Sequence, residues 1–109
     1  MIGRNEPDKL MITPSPEHEK HNGMVKLMTE FAKLEGFPEL GNADDYYHRS
    51  DQAMFERLGI PVAFLFSDIH EDYHKPTDTP DKIDCDKIRR VVRTVVRMLD
   101  GMQTDKLDF

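Results

Sequence analysis

The chain has 109 residues, enough for one domain with a modest core. A formal net charge of −6 argues against a nucleic-acid partner, because phosphate binding rests on clustered Lys and Arg. No run approaches the roughly 20 apolar residues of a membrane span, and a single cysteine, Cys85, excludes both an internal disulfide framework and a cysteine-rich zinc site.

Met1 to Arg4 reads as the tail of a strand, and Asn5 to Asp8 as a turn punctuated by Pro7 and Asp8. Leu10-Met11-Ile12 is a short strand ended by Pro14 and Pro16, which cannot donate to a ladder. Ser15, Pro16 and Glu17 supply a cap, a first-turn proline and an early acid, predicting a helix over 17–35. Met24, Leu27, Met28, Phe31 and Leu34 recur on it at helical spacing, and Gly36 stops it. His18 and His21 fall on its polar face and read as solvated.

Residues 37–47 form an irregular loop with room for a short strand. Ser50 caps a short helix over 51–58, with Met54, Phe55 and Leu58 expected to face inward and Gly59 ending it. Val62 to Phe66 lacks period-two alternation, so it is expected to be buried on both faces, as a parallel or central strand is. Asp84 caps a last helix with its apolar stripe at Ile88, Val91, Val92, Val95, Leu99 and Met102, an end at Gly101 and a frayed tail from Gln103. Arg89, Arg90, Arg93 and Arg97 read as its solvated face. Alternating strands and helices give a layered α/β architecture in a single domain.

The most informative stretch runs from Pro61 to Asp84, an apolar run that turns abruptly polar before the last helix. His70-Glu71-Asp72-Tyr73-His74 has the form H-E-x-x-H, which binds zinc only if a helix projects both imidazoles from one face. Pro76, Pro80 and the nearly all-polar residues between them speak against that helix. His70 then becomes a rim residue.

The longer string carries a different signal. Ser50-Asp51, Phe55, Gly59-Ile60-Pro61-Val62, an apolar strand, and Tyr73-His74-Lys75-Pro76-Thr77-Asp78-Thr79 follow one another over Tyr46 to about Met102. This order resembles the zinc-dependent aminopeptidases that also include the glutaminyl cyclases. Met1-Ile2-Gly3-Arg4 is similar to the segment that follows a zinc-binding aspartate there. The resemblance implies the C-terminal portion of a catalytic domain, spanning 1–109. It also implies a partial three-layer α/β/α phosphorylase/hydrolase-like fold with a mixed sheet of few strands and about three helices.

By the same resemblance His74 falls on the last zinc ligand. Asp78 falls on an acid that supports that ligand or its loop. Tyr47 falls on a tyrosine that steadies the oxyanion, with Tyr46 competing for the position. Ser50 and Asp51 match a motif expected to be structural near the site, and Gln52 stands where histidine is usual. The cofactor implied is zinc in a longer parent that hydrolyses peptides with a metal-activated water. The other ligands and the general base would lie upstream of Met1, so residues 1–109 are expected to bind no zinc tightly and to be inactive alone. A periplasmic or secreted parent is implied too. A cut sheet implies self-association through an exposed strand edge. Two other readings stay open: a non-catalytic interaction module, and a small H-E-x-x-H protease.

Overall fold

The computed structural model describes residues 1–104. Three very short strands form a mixed sheet of order β2-β1-β3. The central strand β1 (Met11–Thr13) pairs in parallel with β2 (Gly41–Asn42) and antiparallel with β3 (Phe64–Phe66). The helices are α1 (Gly23–Leu34), α2 (Gln52–Glu56) and α3 (Cys85–Thr104). This is the partial α/β fold expected, three helices around a small mixed sheet. None of the described helices is long and apolar enough to cross a membrane.

Side-chain alternation divides the sheet into two faces. Ile12 and its partner Leu65 point toward α1 and α3, where Val25, Leu27, Met28 and Met98 close the larger core cluster. Leu10, Ala32, Phe37 and Val91 form a second cluster beside it. On the opposite face Phe64 and Phe66 stack, and the Tyr46 ring lies 4.7 Å from that of Phe66. That face borders the site.

Several expectations are corrected. The first helix begins at Gly23, not Glu17. Asn22 is its cap: the extended backbone there lets its side chain accept from the N–H groups of Met24 and Val25, while its amide donates to the Val62 carbonyl at 2.9 Å. Ser15 opens only a turn: its oxygen accepts from the Glu17 N–H at 3.2 Å, while its hydroxyl and N–H both donate to Asp44 at 2.6 and 2.8 Å, with Thr13 adding a third bond. Burial alone would raise the Asp44 carboxyl, but these hydrogen bonds outweigh it and hold the group below its ordinary value. Leu34 at the end of α1 is exposed, whereas Val25 and Ala32 are buried.

The strand at Val62 to Phe66 is antiparallel and, among the described residues, lies at the sheet edge; Phe64 and Leu65 are half-buried. Its unbroken apolar run reflects a core on one side and an aromatic cleft wall on the other. Helix α2 is shorter than expected, and Met54, Phe55 and Leu58 all face solvent rather than inward.

Helix α3 buries Lys87, Val91, Thr94, Met98 and Gly101, a seam with alternating four- and three-residue spacing; Val92 and Leu99, expected inside, are exposed. It continues through Gly101 to Thr104, so Gln103 is helical. The remainder of the expected frayed tail, 105–109, lies outside the described residues.

The arginines of α3 are not simply a solvated face. Arg90 donates to the carbonyls of Glu35, Gly36 and Pro7, pairs with Asp8, and lies 4.1 Å over the Phe37 ring. Arg93 and Arg97 both grip Glu35.

Candidate active site

The loop after β3 is held from the N-terminal segment. Asn5 donates its side-chain amide to the carbonyls of Ser67, Asp68 and Ile69, which fixes the exit from the strand. Arg4 then spans the loop, one guanidinium nitrogen on Asp72 at 2.8 Å and the other on Asp78 at 2.6 Å. Lys82 adds a second cation to Asp72 at 3.2 Å. The Arg4 hydrogen bond, reinforced by Thr77 and Lys82 against the cost of burial, holds the Asp72 carboxyl far below the usual carboxylate range.

The clamp is itself anchored. Lys87 is wholly buried on α3, and its ammonium donates to the carbonyls of Arg4 and Glu6 at 2.7 and 2.9 Å. The Asp84 N–H donates to the Gly3 carbonyl at 2.8 Å, and the Asp84 side chain caps α3 through the Lys87 N–H.

Held in this way, residues 70–74 form turns and no helix. His74 has φ of 55°, in the left-handed region that residues other than glycine rarely adopt. It is exposed, and its ring stacks on that of Tyr73 with centroids 3.9 Å apart. His70 goes the other way. Its side chain is only 4% exposed, Nδ1 accepts from the Asp72 N–H, and Nε2 is enclosed, 3.9 Å from Asp78. His70 is therefore a buried imidazole, not a rim residue. With no helix to align the two histidines, the H-E-x-x-H reading falls.

His74 opens onto a cleft of about 500 Å³ lined also by Met1, Tyr46, Arg49, Ser50, Phe64, Phe66, Tyr73, Lys75 and Asp78. Ser50 and Asp78 thus reach the same cleft as His74. Asp51 is exposed just before α2 and makes no side-chain cap bond. Gln52 donates to the Tyr47 carbonyl at 2.7 Å.

Tyr47 is not in this cleft. It is buried between His18 and His48 and lines a separate cavity; Tyr46, one residue earlier, occupies the cleft wall, with the Arg49 guanidinium 5.2 Å from its ring centroid. The two tyrosines straddle the end of a 3₁₀ turn at Asp44–Tyr46, which sends adjacent side chains to different sides.

Pattern reading missed Arg4, Asp72 and Lys87. The only available signal was opposite charge at great sequence separation, which spacing rules do not capture.

The donor set decides what this site can hold alone. Among the described residues His74 is the one imidazole lining the cleft, and the one acid lining it, Asp78, is already paired with Arg4. Among the described residues no group of three or more His, Cys, Asp or Glu side chains is placed to hold a metal ion. A catalytic zinc takes three protein ligands, so these residues do not by themselves complete such a site.

The architecture is that of an α/β protein in which a strand end delivers a polar loop to an open cleft, the common location of functional groups in this class. The profile of peptidase family M28 matches residues 1–99, and the chain belongs to that family. No curated protein and no solved structure matches it significantly.

Proposed function

We propose that this chain supplies the His74 side of a zinc-dependent M28 aminopeptidase centre whose other metal-holding groups belong to polypeptide outside residues 1–109. The observation that carries the reading is the placement of His74: exposed, left-handed in backbone, and presented to a cleft by a loop clamped through Arg4 and Asn5. Strain at a non-glycine residue costs on the order of 1 kcal/mol and persists where surrounding contacts enforce it. Here the enforcing contacts reach across the chain, from Arg4 to Asp72 and Asp78.

In this reading His74 binds the metal, which in the assembled centre activates water for peptide-bond hydrolysis. Asp78 keeps the loop in place through Arg4, and Ser50 shapes the opposite wall. The oxyanion role expected of Tyr47 passes to Tyr46, the tyrosine of the cleft. Residues 1–109 alone are inactive because the ligand count is short.

The test compares His74→Ala with His70→Ala in the natural gene product, using hydrolysis of aminoacyl p-nitroanilides. Loss of activity by at least 100-fold for His74→Ala, with bound zinc falling in parallel, supports the assignment. Full activity in His74→Ala, or peptidase activity in residues 1–109 alone, overturns it.

A second reading is favoured by a specific surface. Met54 and Phe55 on α2 and Leu58 just after it are all exposed, and among the described residues β3 lies at a sheet edge. Exposed apolar side chains and an unpaired strand edge are each templates for association. We propose that isolated residues 1–109 self-associate through the β3 edge.

A further inference from the structure

A second cavity, independent of the His74 cleft, lies between the 19–22 turn, Tyr47 and the segment following Gly59; its volume is about 220 Å³. Two enclosed polar atoms belong to its lining residues, the Tyr47 hydroxyl and His21 Nδ1, and neither has a hydrogen-bond partner among the described residues. Tyr47 is only 4% exposed. Buried polar groups are paired in about nine cases in ten, and leaving one unpaired costs about 1–3 kcal/mol. Two such atoms at one cavity point to a ligand.

The walls define its chemistry. Glu19 and Glu56 both line the cavity, and among the described residues neither is in a salt bridge. Ile60 supplies an apolar side. Burial first, and then the charges of Glu56, Glu19 and Asp44, push the Tyr47 phenol up; Lys20 is also a lining residue. Two carboxylates against a single lysine in the lining disfavour an anion.

A metal ion does not fit, because no three His, Cys, Asp or Glu side chains among the described residues converge on one point. Glu19 is exposed and Glu56 half-buried at the rim of the cavity, so a cation gains an attraction there that a neutral molecule of the same size lacks. At about 30 Å³ per water the space corresponds to roughly seven waters, below the usual range of drug-sized pockets, so only a small ligand fits.

We infer that this cavity binds a small organic cation bearing a primary ammonium group. The ammonium offers three donors to a lining that holds four acceptor groups, Glu19, Glu56, His21 Nδ1 and the Tyr47 oxygen, while a short alkyl stem lies against Ile60. The site does not depend on the zinc reading and would stand if that reading failed.

Residues 1–109 are titrated with n-butylammonium, butyrate and 1-butanol, three probes of similar size that differ in charge. The readout is NMR of the His21 imidazole and the Tyr47 ring. Saturable shifts at both residues with butylammonium alone are expected. Glu56→Gln and Tyr47→Phe should each weaken binding at least ten-fold, and His74→Ala should leave it unchanged. Glu56 lies on the short surface helix, so Glu56→Gln carries the test if Tyr47→Phe fails to fold. Equal response to the three probes, no saturable shift, or undiminished binding in Glu56→Gln would overturn the proposal.

Discussion

Lys87→Met tests whether the buried lysine of α3 stabilises the fold through its contacts. Its ammonium donates to the Arg4 and Glu6 carbonyls at 2.7 and 2.9 Å with no side-chain exposure. Methionine keeps the stem but leaves both carbonyls without a donor. Two hydrogen bonds from a charged group contribute about 1.5–3 kcal/mol each, and relief from burying the charge returns part of that, leaving a net loss of about 2–4 kcal/mol. For a domain of this size that lowers Tm by roughly 10–30 °C. Thermal unfolding by circular dichroism measures it, and hydrogen exchange over 70–78 should rise, because Arg4 no longer holds Asp72 and Asp78 rigidly.

The sign of the pH dependence follows from the same group. Burial lowers the Lys87 ammonium below its ordinary value, so between the folded and unfolded values, the latter about 10.4, the unfolded chain binds more protons. Wild-type stability therefore climbs in that alkaline window, and its margin over Lys87→Met widens there. An unchanged or raised Tm at pH 7 would show that burying the charge costs more than its contacts contribute, and would refute the reasoning.

Other outcomes follow from particular contacts. Asp72→Asn should flatten the acid limb of the stability curve: the folded carboxyl titrates below its unfolded value of about 3.9, so its contribution is complete above that pH and is lost as pH falls through the lower folded value. Acid titrations that superimpose for variant and wild type would contradict the Arg4 clamp. Gly101 sits where a Cβ would lie 3.1 Å from Phe31 and 3.2 Å from Leu27, so Gly101→Leu should overpack the α1–α3 contact by about 1–3 kcal/mol, whereas Gly101→Ala stays within about 1 kcal/mol because helix propensity offsets the crowding. Denaturant unfolding distinguishes them, and equal midpoints for Leu and Gly would be inconsistent with the close crossing. In sedimentation, isolated residues 1–109 should associate, and Phe64→Lys on the edge strand should shift them toward monomer; a wild type that stays monomeric at high concentration sinks that proposal.

Much of the fold was legible because it rests on local signals. Asp84 as a cap, Gly36 and Gly59 at positive φ beyond the helices, and strands at Met11 and Phe64 follow from turn chemistry and apolar runs. The errors arose where distant partners override local preference. Ser15 had every mark of a helix cap, and its oxygen does accept from the Glu17 N–H, but its hydroxyl and N–H are tied to Asp44 29 residues away and only a turn follows before Asn22 caps the helix. The buried seam of α3 includes Lys87, Thr94 and Gly101, none of which a hydrophobic pattern selects. Val92 and Leu99, which it does select, face away from the core.

At the site, the tight family-like string placed His74 on an exposed loop off a strand end. Adjacent Tyr46 and Tyr47 could not be told apart, because a single residue at the end of a 3₁₀ turn decides which cavity each ring enters. His70 was misplaced for a related reason: a turn held by Arg4, invisible to spacing, rotates it inward while His74 rotates out.

The most direct measurement is histidine-selective NMR of the natural gene product as zinc is added. The account predicts that the His74 imidazole shifts on binding while those of His70, His18 and His21 stay in place. Zinc bound with the His74 resonances unmoved would contradict it.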